Sequence, residues 1–456
     1  MKYCSTRGGV SGISFKESLL MGLGSDGGLL VPESIPDVTD ELSAWRALDF
    51  VALAKQVIGL YVDDIDRQTL SDLIDKAYST FDHPEIVPMR EIGDVTLLEL
   101  FHGPTLAFKD IALQLLGQLF EHTLAEDGRH LNILGATSGD TGSAAIAGVR
   151  GQDNIDIFIL YPNDKVSHLQ ELQMTTVPDT NVHCIAVNGS FDDCQGLMKS
   201  IFADLDFKTS HSLGAVNSVN WARVLAQVVY YAYVSLKFDK PVSFCVPTGN
   251  FGNVFAGYLA RRMGFPIAEL VVATNENDIL SRFFATGEYA RGDVHFTLSP
   301  AMDIQVASNF ERFIYYYFDG DTERLNAFMD EFQATGKADL GSAPSEAGFM
   351  ATSVTTEETL ATLKQTFAES GYILDPHTAV GVAAGRKCRP SGTKVCIATA
   401  HPAKFPEAVE QALPGEAPTH ERLEALKGLA ERKVVIEPTI EAVKNEIEKS
   451  VRAVAR

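Results

Sequence analysis

The chain has 456 residues and a mass of 49.6 kDa, a length that suits two or three domains of ordinary size. Hydrophobic residues make up 45% of it and charged residues 21%, which excludes a wholly disordered protein. The 38 basic and 60 acidic residues give a net charge of −22, so nucleic acid and membrane are not expected partners, because an acidic surface repels phosphate backbones and anionic lipid.

The predicted elements fall into two parts. Residues 1–95 are predicted to be an N-terminal domain, which opens on Gly- and Ser-rich sequence and continues with helices around 40–60 and 65–80. From residue 96 strands alternate with helices, as in α/β proteins whose parallel sheets carry helices on both faces. Strands are predicted at 95–100, 131–135, 155–161, 183–188, 241–247, 268–273 and 394–400, and helices from 109, at 143–149, 220–236, 253–263, 378–387 and from about 404.

The alternating region is predicted to span 96–414, with a polar helical insertion at 315–370 and a helical, Glu- and Lys-rich tail at 415–456. The six cysteines show neither a CxxC pair nor zinc-ligand spacing, so no metal site is expected. The sequence contains neither a signal-peptide pattern nor an apolar run of about 18 residues, which predicts a soluble, cytoplasmic protein. Whether it is a monomer or a homodimer stays open.

Four strand-to-helix loops are chemically unusual, and ligands of parallel α/β sheets bind beyond the carboxyl ends of the strands. In the first, FHGPTLAFKD, Lys109 begins an amphipathic helix. Apolar neighbours and the positive helix end would lower its pKa, as a Schiff-base amine requires. The alternative is an exposed lysine.

The second and third loops favour bound anions. GATSGDTGSAA (135–145) places hydroxyls and backbone N–H groups at a helix start, although it could simply be a tight turn. PTGNFGN (247–253) contains Gly249 and Gly252, which permit a ligand to approach the backbone, and Asn250 and Asn253, which tolerate left-handed conformations. A glycine loop of this kind is weak by itself, because it is not GxGxxG.

The fourth segment is KVCIATAHPAKFPEAV (394–409), in which Thr399 ends a buried strand and could meet a ring nitrogen. His401 is interpreted as a loop histidine in preference to an acid or base. A further run, NSVNWARV, crowds Asn217, Ser218, Asn220 and Arg223 before a long helix. Arg223 could bind a carboxylate or phosphate, or else Asn220 could cap the helix and leave Arg223 on a solvated face.

These segments, in this order, resemble the threonine synthases, which are pyridoxal-phosphate enzymes with a fold like that of the tryptophan synthase β subunit (fold type II). The resemblance covers nearly the whole chain. It is carried by STRG…SFKESLLMGLGSDGGLLVPESIP at the N-terminus and by GPTLAFKD, SGDTGSAA, NSVNWAR and TGNFGN. It implies an α/β protein with two three-layer parallel-sheet domains, the cofactor between them and an additional N-terminal domain.

The resemblance also assigns roles to residues. Lys109 would form the Schiff base with pyridoxal 5′-phosphate and then act as acid and base on the substrate. The other implied cofactor ligands are Gly249, Asn250, Phe251, Gly252 and Asn253 for the phosphate, Thr399 for the pyridine nitrogen, and Asp140. The implied substrate ligands are Thr137, Ser138, Gly139 and Thr141 for the carboxylate, and Ser218, Asn220 and Arg223 for the phosphate.

Many relatives carry Asn at the position of Asp140, where it faces the 3′ oxygen of the cofactor, and Asp also occurs there in the larger threonine synthases. Three possibilities follow: Asp140 is protonated, the ring oxygen is protonated, or Asp140 points elsewhere.

The reaction implied by the resemblance converts O-phospho-L-homoserine and water to L-threonine and phosphate, the last step of threonine biosynthesis. One alternative is a threonine or serine dehydratase of the same fold, and the N-terminal domain and NSVNWAR argue against it. Another is a catalytically silent homologue that binds ligands or partner proteins, against which the intact Lys109 and glycine loop argue.

Overall fold

The computed structural model of the chain describes residues 1–215, 218–344 and 348–451. Its strands are β1 (Tyr3–Ser5), β2 (Leu30–Pro32), β3 (Met89–Ile92), β4 (Val95–Glu99), β5 (Leu131–Ala136), β6 (Ile155–Pro162), β7 (Val182–Val187), β8 (Leu213–Gly214), β9 (Val242–Pro247), β10 (Ile267–Thr274), β11 (Glu288–Ala290), β12 (Lys337–Asp339), β13 (Phe349–Ser353), β14 (Thr393–Ala398) and β15 (Val434–Ile436).

The helices follow in the same chain order. They are α1 (Phe15–Met21), α2 (Leu42–Trp45), α3 (Phe50–Gly59), α4 (Arg67–Tyr78), α5 (Lys109–Asp127), α6 (Asp140–Val149), α7 (His168–Thr175), α8 (Phe191–Ala203), α9 (Leu205–Ser210), α10 (Trp221–Ser235), α11 (Gly252–Arg262), α12 (Ile279–Thr286), α13 (Phe310–Tyr317), α14 (Thr322–Thr335), α15 (Thr356–Ser370), α16 (Pro376–Cys388), α17 (Pro406–Ala412), α18 (Glu421–Glu424) and α19 (Ile440–Ser450). Short 3₁₀ turns lie at Thr39–Glu41, Pro300–Met302 and Pro402–Lys404.

Two sheets dominate the described part of the chain. The first sheet has the order β13-β10-β9-β14-β4-β3, in which only β3 runs antiparallel to its neighbour. The second sheet has the order β15-β7-β6-β5-β8 and is parallel throughout. The prediction of an α/β fold with parallel sheets and packed helices is therefore confirmed, and the seven predicted strands match observed strands to within two residues at each end.

The N-terminal part is less separate than the sequence suggests. Strand β3 pairs with β4, so the first sheet already begins at Met89 rather than at residue 96. The rings of Tyr3 and Tyr61 lie 6.2 and 5.7 Å from that of Trp221, the first residue of α10. These residues belong to one hydrophobic core that continues into both sheets. The N-terminal residues therefore share their core with the helices that carry the predicted site.

Two segments predicted to be helical also contain strands. Within 315–370, β13 pairs in parallel with β10 at the edge of the first sheet, and α15 packs on α16. Within 415–456, β15 pairs in parallel with β7 at the edge of the second sheet. Both strands are short edge strands that stay partly exposed, so neither shows the long apolar run that marks a buried strand. None of the described helices combines the length and apolarity that crossing a bilayer requires.

Asp156 connects the strands of the second sheet through two histidines. Its side chain in β6 is only 1% exposed, and its oxygens lie 2.8 Å from His130 Nε2 and 3.4 Å from His183 Nε2. Burial alone would raise the pKa of Asp156, but the hydrogen bonds from the two imidazoles outweigh it and lower the pKa to about 2. Because the folded state depresses this pKa, the resulting stability is present above about pH 4 and is lost as the pH falls toward the folded-state value.

Asp156→Asn is therefore expected to lower the free energy of unfolding at neutral pH by about 2 kcal/mol. The difference from the unmodified chain should shrink below about pH 4, because there the unfolded chain takes up a proton on Asp156, whereas the native carboxylate, with a pKa of about 2, does not yet do so. Urea unfolding between neutral and acidic pH measures both effects. Asp153→Asn, at an exposed position in the preceding loop, is the control and should change neither. A loss of stability that is the same at every pH would contradict the assignment.

Candidate active site

The predicted ligand loops lie where the strand order of each sheet reverses. In the first sheet, β10 and β13 follow β9 on one side, and β14 lies on its other side. In the second sheet, β6 and β7 follow β5 on one side, and β8 lies on its other side. Such reversals open the crevices in which α/β sheets bind ligands. The loops after these strands contain TGNFGN, Thr399, SGDTG and NSVNWAR.

Lys109 is the first residue of α5, and its side chain is buried. The Phe108 N–H donates to the carbonyl oxygen of Thr399 at 2.7 Å, which joins the lysine loop to the end of β14. Lys109 Nζ lies 5.0 Å from the centroid of the Phe108 ring and 3.5 Å from Asp140 Oδ2. The structure thus brings three of the predicted cofactor residues, Lys109, Thr399 and Asp140, to one place.

The surroundings of Lys109 favour its uncharged amine. Burial lowers the pKa of Lys109, the Asp140 carboxylate opposes this, and the positive charges of Lys404 and Arg223 lower the pKa further. The direction is the one expected from the sequence. The alternative of an exposed lysine does not hold.

Asp140 is held as a carboxylate by two cations and an amide. Its Oδ1 lies 2.9 Å from Lys404 Nζ and accepts a hydrogen bond of 2.9 Å from Gln170 Nε2, while Oδ2 faces Lys109. Burial would raise the pKa of Asp140, but the charges of Lys404 and Lys109 outweigh it and hold the pKa well below its usual range. Of the possibilities that the sequence leaves open, this arrangement disfavours a protonated Asp140.

Residues from the C-terminal part of the chain fix the loop that precedes α5. Arg422 Nη1 donates to the carbonyl oxygen of Gly103 at 2.7 Å, and Lys404 Nζ donates to that of Thr105 at 2.7 Å. The N–H and hydroxyl of Thr105 donate to Asp110 in α5 at 2.8 and 2.7 Å. The backbone that leads into α5 is therefore held by residues from the C-terminal part of the chain and by α5 itself.

The SGDTG loop makes a tight turn into α6. Thr137 Oγ1 accepts hydrogen bonds from the Gly139 N–H at 3.0 Å and from a second N–H one turn further on. Gly139 has φ 143°, and a Cβ there would come within 2.2 Å of Gln170 Oε1, so only glycine fits. The side chain of Ser138 is exposed and Thr141 is half-buried, which leaves both within reach of a ligand.

The TGNFGN loop is shaped by a close backbone contact. A Cβ on Gly249 would come within 2.6 Å of the carbonyl oxygen of Ala301. Phe251 adopts φ 64° and caps α11, which begins at Gly252. A helix start presents N–H groups that have no partner within the helix, and its dipole favours an anion.

Two asparagines connect this loop with its neighbours. Asn253 Oδ1 accepts hydrogen bonds from the hydroxyls of Tyr230 and Tyr231 at 2.5 and 2.7 Å. Asn309 Nδ2 donates to the carbonyl oxygens of Asn250 and Ser218 at 3.2 and 3.0 Å. The glycine loop and the run that contains Ser218 are therefore neighbours, as the predicted site requires.

A buried arginine extends this connection to the N-terminal residues. Arg312 donates to Asn309 Oδ1 at 2.6 Å, to the carbonyl oxygen of Val219 at 2.5 Å and to that of Leu30 in β2 at 2.8 Å.

Ser218 Oγ lies 2.7 Å from Ser308 Oγ. Asn217, a neighbour of Ser218 in the NSVNWARV run, lies outside the described residues.

Asn220 and Arg223 differ in the hydrogen-bonding groups that a ligand could still bind. Asn220 Oδ1 caps α10 by accepting from the Ala222 N–H, and its Nδ2 donates to the carbonyl oxygen of Leu19, so both ends of the amide are already bonded. Arg223 lies in the first turn of α10 and is only 6% exposed, so it is not on a solvated face. Burial lowers its pKa to about 10, so the guanidinium stays charged at neutral pH.

Several buried polar atoms of the site have no hydrogen-bond partner in the described structure. They are Thr399 Oγ1, Asn253 Nδ2 and Arg223 Nη1. A buried polar group without a partner is costly, so such atoms indicate a ligand with complementary groups. A hydroxyl at Thr399 suits a ring nitrogen, and a positive environment suits phosphate, so the residues present fit pyridoxal phosphate.

Lys404 and Gln170, two of the three side-chain partners of Asp140, were not predicted from the sequence. Lys404 lies between Pro402 and Pro406, six residues after the end of β14, and nothing in this position indicates that its side chain is buried. His401, by contrast, is the loop residue that was predicted: its Nδ1 accepts from the Ala403 N–H and caps the 3₁₀ turn.

Comparison with known proteins agrees with this geometry. The family model for pyridoxal-phosphate dependent enzymes matches residues 90–400, and models described as threonine synthase N terminus and threonine synthase, C-terminal, match 2–78 and 378–447. The threonine synthase of Schizosaccharomyces pombe is 47% identical over 91% of this chain and 89% of its own length. That of Pseudomonas aeruginosa is 48% identical over 92% of each chain.

A solved structure is similar along almost the entire chain. The crystal structure of pyridoxal-phosphate-bound threonine synthase from Brucella melitensis is 43% identical, superposes with a TM-score of 0.96, and the match covers 99% of this chain and 100% of that one. The fold is accordingly that of the fold type II pyridoxal-phosphate enzymes, and the cofactor is pyridoxal phosphate. The chain belongs to the threonine synthase family.

Proposed function

We propose that the chain converts O-phospho-L-homoserine and water to L-threonine and phosphate. The observation that carries this proposal is a group of three buried basic side chains in a chain of net charge −22. Lys109, Lys404 and Arg223 are each less than one-tenth exposed. Lys404 pairs with Asp140, whereas Arg223 Nη1 has no hydrogen-bond partner in the described structure. Basic side chains are rarely buried without a partner, so such a site suits a cofactor and a substrate that both carry phosphate.

The proposed cofactor ligands follow strands β4, β9 and β14 of the first sheet. Lys109 would hold the cofactor covalently through its amine, and Thr399 Oγ1 would bond to the ring nitrogen. The backbone N–H groups of Gly249, Asn250, Phe251, Gly252 and Asn253 would bind the phosphate. A hydroxyl at the ring nitrogen cannot stabilise a full positive charge on the ring as a carboxylate would, so negative charge on the cofactor is balanced by the surrounding cations instead.

When bound, the cofactor supplies an electron sink that stabilises negative charge on the substrate carbon next to the amino group. Lys109 then moves the protons. The lowering of its pKa by burial favours the uncharged amine, the form that can take a proton from a substrate carbon and return it later. In the overall reaction phosphate leaves the γ carbon and water adds to the β carbon.

The substrate ligands are proposed on either side of Lys109. The hydroxyls of Ser138 and Thr141 and the N–H groups at the start of α6 would receive the carboxylate, while Thr137 and Gly139 shape the turn that presents them. Arg223 would bind the substrate phosphate with help from Ser218. Because both ends of the Asn220 amide are bonded within the protein, we assign Asn220 to capping and orienting α10.

The test is turnover of O-phospho-L-homoserine with phosphate and threonine both measured. Equal amounts of the two products support the proposal. Ammonia release from threonine or serine, without phosphate chemistry, would instead identify a dehydratase. Absence of both activities from cofactor-saturated protein would identify a silent homologue.

Lys109→Ala is expected to leave the fold intact, because it removes a desolvated amine, and to lower turnover by at least about a thousand-fold. Borohydride treatment should no longer fix the cofactor to the chain. Circular dichroism, turnover and mass spectrometry of the reduced protein measure these effects. Lys364→Ala, at an exposed position of α15, is the control and should keep full activity. Normal turnover of the Lys109 variant would refute the assignment.

Arg223→Ala is expected to raise the KM for O-phospho-L-homoserine by roughly 30-fold or more, with a smaller effect on cofactor affinity. The ligand-free variant should be at least as stable as the unmodified chain, because a buried guanidinium with an unpartnered nitrogen is costly. Steady-state kinetics and urea unfolding measure the two effects. The exposed Arg129→Ala is the control. An unchanged KM would assign Arg223 to structure alone.

A further inference from the structure

Lys404 is a buried lysine to which the mechanism above gives no role. Its side chain is 0% exposed, and its Nζ lies 2.9 Å from Asp140 Oδ1 and donates to the Thr105 carbonyl oxygen at 2.7 Å. Lysine is almost never fully buried unless it is paired. The pairing with Asp140 therefore explains why Lys404 is tolerated there, but not what it contributes.

The two carboxylate oxygens of Asp140 lie at different distances from the side-chain nitrogens of Lys404 and Lys109. The 2.9 Å to Lys404 is in the range of a charge-assisted hydrogen bond, whereas the 3.5 Å to Lys109 is longer than such a bond. Gln170 donates to the same oxygen as Lys404. The negative charge of Asp140 is thus bonded mainly on the side away from Lys109.

This division matters for the amine of Lys109. Only an uncharged amine has the lone pair that attacks an aldehyde carbon, and a close carboxylate stabilises the charged form instead. Without Lys404, Lys109 would be the nearest cation to Asp140 and would keep its proton. The other charged or titratable groups that face the pair are Arg223 from α10, His377 from α16 and Asp110 from α5 itself.

We propose that Lys404 is a positioning residue for attachment of the cofactor: its ammonium group neutralises Asp140 and thereby leaves Lys109 able to lose its proton. The proposal rests on the proposed role of Lys109. The Asp140–Lys404 pair is neutral as a whole.

The competing role for Lys404 is a mechanical brace, because its bond to Thr105 supports the loop before α5. The two roles differ in a double variant. Lys404→Met removes both the charge and the brace. Adding Asp140→Asn restores the charge balance but not the brace.

The experiment measures how the reactivity of Lys109 depends on pH in the full-length chain after removal of its cofactor. Pyridoxal phosphate is added over a range from about pH 6 to pH 10, the product is fixed with borohydride, and the labelled peptide is identified by mass spectrometry. Acetylation of Lys109 by acetic anhydride, without cofactor, gives a second midpoint. The variants are Lys404→Met, Lys404→Arg, Asp140→Asn and the Asp140→Asn/Lys404→Met double variant.

Lys404→Met should raise both midpoints by about one pH unit or more, because an opposite charge a few ångströms away shifts a pKa by that amount. Asp140→Asn should lower them. Lys404→Arg and the double variant should stay within about half a unit of the unmodified chain. Lys444→Met, which removes a surface pair with Asp204, is the matched control and should have no effect.

An unchanged midpoint in Lys404→Met, or a double variant that behaves like Lys404→Met, would overturn the proposal and leave the brace. If Lys404→Met does not fold, the proposal still requires the midpoint of Asp140→Asn to lie below that of the double variant, and the opposite order refutes it. Cofactor fixed at a residue other than Lys109 in the unmodified chain would refute the Lys109 assignment itself, whatever the Lys404 variants show.

Discussion

One buried carboxylate, Asp140, links residues that follow strands of the two sheets. Asp140 begins a helix beyond the second sheet, whereas Lys109 and Lys404 follow strands of the first sheet. Their ion pairs therefore cross the crevice between the sheets. Arg223 is a further buried cation beside Lys109, in a place from which water is largely excluded and where Coulomb interactions are strong. The cofactor pyridoxal phosphate carries an anionic group that buried cations can bind.

Much of the fold could be predicted because its central strands are continuous apolar runs between glycine-rich turns. The strands β6 and β9 are buried along their whole length, and their bounds follow from composition alone. The edge strands β13 and β15 could not be found in this way. Each is short, and its place is decided by the neighbour to which it bonds rather than by its own pattern.

The residues of the candidate site, like the strands, could be predicted only in part. Lys109 and the TGNFGN loop could be recognised because their order along the chain resembles a known family, whereas the chemistry of each loop alone left alternatives open. Lys404 could not be identified, since a lysine in a loop is normally solvated, and its burial is set by Asp140 and Thr105, which are distant in sequence. For Asn220, the cap was one of the two interpretations considered, and its bond to Leu19 depends on an N-terminal segment that no local pattern places there.

The contacts that fix the loop before α5 determine how late in synthesis the site can form. Gly103 and Thr105 leave the ribosome early, yet the side chains that fix them, Arg422 and Lys404, are translated near the end. Contacts between such remote positions form slowly, because a long loop must close first. A nascent polypeptide therefore lacks a finished pocket until most of its length has emerged, so the vitamin-derived coenzyme is captured after synthesis rather than during it.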